Sequence, residues 1–175
     1  SQPPTQQLRH KLTPLGKVVQ GEELFFLLSG NRVAVAPLEG LAEKFNEELM
    51  RKRTQLLRGR SRIGTVGPVE GFSLEYLVSL ESATLREELQ MGTTIVRLGV
   101  SELRVLPLPE AVYESADEAL LPQSRFLRAL RAGGRNATLT FWVYPDSFAL
   151  HRHLKDFAHD NGFDFVYGAM QALDA

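Results

Sequence analysis

The chain contains no cysteine. That excludes disulfides, thiolate nucleophiles and the usual cysteine-built zinc sites, and it leaves the redox compartment open. Nor is there a surplus of charge. Twenty basic side chains stand against 21 acidic ones, and a net charge of −1 gives the molecule no global attraction for nucleic acid or an anionic bilayer. No apolar run approaches the ~20 residues that span a membrane as a helix. Internal repeats and low-complexity tracts are also missing. What remains is an ordinary globular balance, 43% hydrophobic and 23% charged over 175 residues. A chain of that length buries roughly two-thirds of its unfolded surface.

The sequence opens on Ser1 and the polar stretch "SQPPTQQ" rather than on methionine. It reads as a mature or trimmed product, with a signal or membrane segment expected upstream. Residues 1–16 are rich in Gln, Pro and Thr and read as a linker or arm, followed by one α+β domain over 17–175. Two short apolar runs, 22–28 and 32–37, flank Ser29-Gly30-Asn31 and predict a hairpin. Leu38, Leu41, Ala42, Phe45, Leu49 and Leu56 then form one helical stripe to about Leu57, with Glu43, Glu47 and Glu48 off it.

"IGTVGPVEG" (63–71) reads as a glycine-punctuated approach to the alternating strand Phe72–Leu80. Residues 82–91 fit a short helix or a loop. An extended segment over 93–108 should bend near Gly99, and 107–123 should be irregular. Ser124 caps a short helix with Gly133 past its end. "ATLTFWVY" is apolar or β-prone on both faces, as interior strands are. A helix from Asp146 to about Asn161 and a last strand in "FDFVYG" (163–168) complete a β-α-β unit. The expected fold class is α+β, a two-layer sandwich of a mixed sheet with amphipathic helices.

Chemistry-bearing residues are spread out. Asp146 and Ser147 follow Pro145 and fit a helix cap, because Asp and Ser accept hydrogen bonds from free first-turn amides. Ser147 lacks the flanking glycines of a nucleophile elbow. On a helical wheel with Leu150 at zero, Leu154 and Phe157 define the core face. His151 falls near ~100°, His153 near ~−60° and His159 near ~180°. The three imidazoles cannot converge, although Asp146, His153 and Asp160 would be the ligands of a metal-dependent hydrolase at the carboxyl end of a strand. The run "RKRTQLLRGRSR" carries Arg51, Lys52, Arg53, Arg58, Arg60 and Arg62 without an acid. It fits an anion or partner contact for phosphate, lipid headgroup or nucleic acid. It also fits a solvated face whose cations favour a helix C-terminus. No aromatics interleave, so nucleic acid is not the expected partner. Asn136-Ala137-Thr138 matches a glycosylation acceptor for a secreted eukaryotic chain. No cofactor motif is present, and nothing in the sequence assembles an active site.

Three stretches together, residues 10–41, 64–76 ("GTVGPVEGFSLEY") and 141–163 ("FWVYPDSFALHRHLKDFAHDNGF"), resemble the C-terminal part of an ExbD/TolR-like family of bacterial proteins common in planctomycetes. The resemblance implies a non-enzymatic, extracytoplasmic module of a biopolymer-transport or stator subunit. Such a subunit is tethered to the inner membrane by an upstream helix and partners an ExbB/TolQ/MotA-type proton channel. It also implies a homodimer and a possible cell-wall or periplasmic protein partner. The exposed edge of "RVAVA" or "FDFVYG" could serve as the joint. The ion-conducting aspartate would lie in the upstream helix, so no residue here inherits that role. Nor is an OmpA-like peptidoglycan site legible.

Overall fold

The computed structural model describes residues 23–59, 61–82, 84–92, 96–134, 137–163 and 170–172. Strands β1 (Glu23–Ser29) and β2 (Arg32–Ala36) precede helices α1 (Leu38–Arg51) and α2 (Arg53–Leu56). Strands β3 (Ser61–Val69) and β4 (Phe72–Ser82), helix α3 (Leu85–Met91) and strand β5 (Val96–Pro107) follow. Helices α4 (Ala116–Ala119) and α5 (Arg125–Gly133), strand β6 (Thr138–Val143), a 3-10 turn at Pro145–Ser147, helix α6 (Phe148–Asp160) and strand β7 (Met170–Ala172) complete the order.

The fold is α+β, but its contacts divide it into two compact units where one domain over 17–175 was expected. One covers Glu39–Glu110, and the other joins 23–38 to 111–172. No strand is shared, because β1, β2, β6 and β7 form one sheet and β3, β4 and β5 another. The sequence hides the first crossing, since the α1 stripe begins immediately after Pro37 with no linker composition. Residues 1–16 lie outside the described residues.

The discontinuous unit holds a mixed sheet in the order β2-β1-β6-β7. Gly30 and Asn31 take φ of +61° and +58°, as a two-residue hairpin between β1 and β2 requires. β6 lies inside the sheet, parallel to β1 from Glu23↔Thr138 to Leu28↔Val143 and parallel to β7. The β-α-β ending is therefore present, with its last strand at Met170–Ala172. The expected strand at 163–168 falls largely outside the described residues. Phe26, Leu28, Val33, Leu139, Phe141 and Val143 pack on one face against Ala119 of α4, Phe126, Leu127 and Leu130 of α5, and Leu150, Leu154 and Ala158 of α6. Ser124 caps α5 as expected, its hydroxyl accepting from the Leu127 amide at 3.0 Å, while Gly133 is still helical and Gly134 ends the helix.

The continuous unit is an antiparallel sheet, β3-β4-β5, with α1 on one face through Phe45 and Tyr76, whose rings lie 5.1 Å apart. Residues 63–69 belong to a full strand rather than an approach to one. Glycines and Pro68 mask its alternation, and the register shifts between Val66 and Val69 around a cis Gly67–Pro68 bond. Gly64 has a packing reason. A Cβ there would land on the Tyr76 phenol, so only glycine lets that ring lie across β3. The irregularity expected near Gly99 sits at Ser101, the extra residue between Val100 and Glu102. The long α1 stripe is broken at Lys52 into α1 and α2, with Leu41, Phe45 and Leu56 still buried.

Candidate functional site

Asp146 and Ser147 do not cap α6: neither its first residues nor the preceding 3-10 turn receives a side-chain cap. Pro145 turns the chain so that both side chains reach the β1–β2 hairpin instead. The Gly30 amide donates to both Asp146 carboxylate oxygens, at 3.2 and 3.1 Å. The Asn31 amide donates to Ser147 Oγ at 3.0 Å, and that hydroxyl donates in turn to Asp146 Oδ1 at 2.8 Å. Ser147 is fully buried and its hydroxyl is used as both donor and acceptor. It is not poised to attack a substrate.

The Tyr144 amide bonds Leu28 O at 3.0 Å at the same end of the sheet. Burial, then the neighbouring Tyr113 and the Asp146 charge, push the Tyr144 phenol up to about 12. This is a structural clasp at the carboxyl ends of β1 and β6.

His153 and Asp160 are exposed on α6, away from any shared ligand position. No group of three His, Cys, Asp or Glu among the described residues could hold an ion. His151, placed near ~100° from the core face on the helical wheel, is drawn into the interior. It is buried, with its ring edge-on to Phe141 at 4.8 Å. Burial, then Lys155, hold its imidazole below the ordinary 6.5.

The basic run is divided among the end of α1, α2 and the start of β3. Arg51 and Lys52 both reach Glu48 Oε1, at 3.0 and 2.9 Å. Arg62 donates to Gln55 at 3.3 Å, while Arg53 and Arg58 are exposed and Arg60 lies outside the described residues. Glu48 is the residue the helical pattern misplaced. It is 7% exposed, and its Oε2 is buried in the neighbourhood of the Tyr76 phenol. Burial alone would raise its carboxyl, but Lys52 and Arg51 outweigh that and hold it below the ordinary 4.5. Burial and the Glu48 charge push the nearby Tyr76 phenol upward. The signal was legible, because Glu48 stands four residues before Lys52, the favourable order for a helical ion pair.

Glu48 also lines a furrow of about 310 Å³ in the continuous unit, together with Lys44, Glu47 and Arg51 of α1 and Thr65, Val66 and Gly67 of β3. Its polar walls suit recognition of a charged segment better than capture of an apolar small molecule. Among the described residues no helix is long and apolar enough to cross a bilayer. Comparison of the chain with protein-family models, with curated proteins and with solved structures finds no match.

Proposed function

We propose that this chain is a non-enzymatic interaction domain of an ExbD/TolR-like subunit, extracytoplasmic and dimeric. An upstream membrane helix would tether it beside an ExbB/TolQ-like proton channel. The resemblance of residues 10–41, 64–76 and 141–163 motivates the reading.

The observation that carries it is the seating of β1. This strand lies inside the sheet, antiparallel to β2 on one side and parallel to β6 on the other. A pull arriving from the N-terminal side would have to shear both ladders together rather than peel bonds one at a time. The Asp146–Gly30 clasp ties the far end of β1 to the root of α6, so the strand could not slide without breaking it. That is the construction a force-transmitting module needs, and it requires no convergent titratable groups.

Of the two edges expected to join protomers, β2 is already partly occupied: Val33 exchanges both backbone hydrogen bonds with Glu114 at 2.8 Å. The "FDFVYG" edge lies largely outside the described residues.

The test is the coding sequence immediately upstream of Ser1, followed by affinity purification of the full-length product from its own membranes. The proposal expects an apolar helix with one acidic residue and recovery of a polytopic channel subunit. A start codon directly before Ser1, or a product that purifies without any membrane partner, would overturn it.

A further inference from the structure

We propose that the furrow between α1 and β3 docks an extended acidic peptide, which adds to β3 as a neighbouring strand. The furrow belongs to the continuous unit, Glu39–Glu110, so the inference stands or falls independently of the stator reading.

Three features carry it. β3 is the outer strand of its sheet among the described residues, so alternate residues send N–H and C=O groups away from β4. The furrow is lined by three consecutive strand residues, Thr65, Val66 and Gly67. The side chains of Thr65 and Val66 point to opposite faces, so a depression touching both follows the strand's edge and not one face of the sheet. The other wall is one side of a helix, with Lys44, Glu47, Glu48 and Arg51 at i, i+3, i+4 and i+7. A backbone edge facing a helix wall is the arrangement in which an added strand takes main-chain hydrogen bonds from one side and side-chain contacts from the other.

The charges select the occupant. Glu48 is already neutralised by Arg51 and Lys52 and turns one oxygen inward. Arg51 spends one guanidinium nitrogen on Glu48 and remains 73% exposed, Lys44 is exposed, and Arg62 continues the basic rim along β3. Within the furrow Glu47 and Glu48 balance Lys44 and Arg51, and Lys52 on Glu48 and Arg62 on β3, both just outside its lining, tip the surroundings to positive. An acidic strand is favoured, and a basic one is repelled. The register shift after Val66 closes the regular edge there, which leaves room for about six residues from Ser61 onward.

The test titrates the 175-residue chain into a dye-labelled peptide, acetyl-Glu-Val-Asp-Val-Glu-Val, and reads anisotropy. Two companions share its length: one with lysine at the acidic positions, and one with alternate peptide nitrogens methylated to remove strand hydrogen bonds. We expect saturable binding of the first, at least tenfold weaker binding of both companions, and slowed amide exchange between Ser61 and Gly67. Lys44→Glu with Arg51→Glu should weaken binding at least tenfold, and Lys155→Glu in the other unit should leave it unchanged. Near-ultraviolet circular dichroism checks that each variant is folded.

Several outcomes would overturn the proposal. They are no saturable binding by the parent chain, equal binding of the methylated peptide, stronger binding of a peptide with the sequence of the N-terminal arm (residues 1–16), and displacement of the acidic peptide by an oligonucleotide at equal concentration.

Discussion

Asp146 grips the amide of Gly30 with both carboxylate oxygens across 116 positions of sequence. Helix-capping preference would have spent that carboxylate on the next turn, but the structure spends it on a hairpin. Asp146→Ala should therefore speed amide exchange at Gly30 and Asn31 while leaving the first amides of α6 unchanged. It should cost about 1.5–3 kcal/mol, as expected for a hydrogen bond to a charged group. Exchange that accelerates in α6 and not in the hairpin would restore the capping role.

Glu48 links acid sensitivity to the α1–α2 junction. Its carboxyl titrates lower in the folded chain than in the unfolded one, so the unfolded state binds the proton first as pH falls. The stability this group supplies is complete above its unfolded pKa and is lost as pH drops through its folded pKa. Glu48→Gln should consequently be less stable than the parent at pH 7. The gap measured by urea denaturation should narrow below about pH 4.5, where the unfolded-state carboxyl begins to protonate.

His151 acts at a higher pH. Its imidazole is held neutral by burial, so protonation favours the unfolded chain. Stability from this group is full above about pH 6.5 and falls as pH drops from there toward the depressed folded value. His151→Phe keeps an aromatic ring beside Phe141 and removes the proton. The variant's melting temperature should change less between pH 7 and pH 5 than that of the parent. Parallel curves would assign the acid response to other groups.

Gly64 and Tyr76 form a packing pair. Gly64→Ala should destabilise by about 1–3 kcal/mol, since the new methyl must displace a buried ring. On a Tyr76→Leu background the same substitution should cost less, because the ring it strikes is gone. A double-mutant cycle showing strict additivity would refute the contact.

Local chemistry made much of the fold legible. The Gly30-Asn31 turn, the Leu41–Phe45 stripe, the Ser124 cap and the interior character of 138–143 are each set by near neighbours or by periodicity. What escaped depends on partners distant in sequence. Nothing near Asp146 announces Gly30. The division into two units follows from which strands pair, and composition does not carry that information. β3 was obscured because Gly64 and Gly67 make room for neighbours and so carry no apolar side chain to mark a face. Glu48 was placed outside by apolar periodicity, although Lys52 one turn later offered a reason for a carboxylate to turn inward. The furrow inherits that difficulty, since it joins 44–51 to 65–67 and no single stretch contains it.

Glu114 meets Val33 through its backbone, and its carboxylate accepts from the amides of Arg125 and Phe126 at 3.0 Å. One residue thus fastens the returning chain to β2 and starts α5. The excursion that begins after Ala36 is cinched at its base, and the entropy of closing such a loop grows only with the logarithm of its length. Lengthening, shortening or exchanging the excursion should disturb β2 and α5 little, which makes the stretch between Ala36 and Glu114 a natural graft point for recombination.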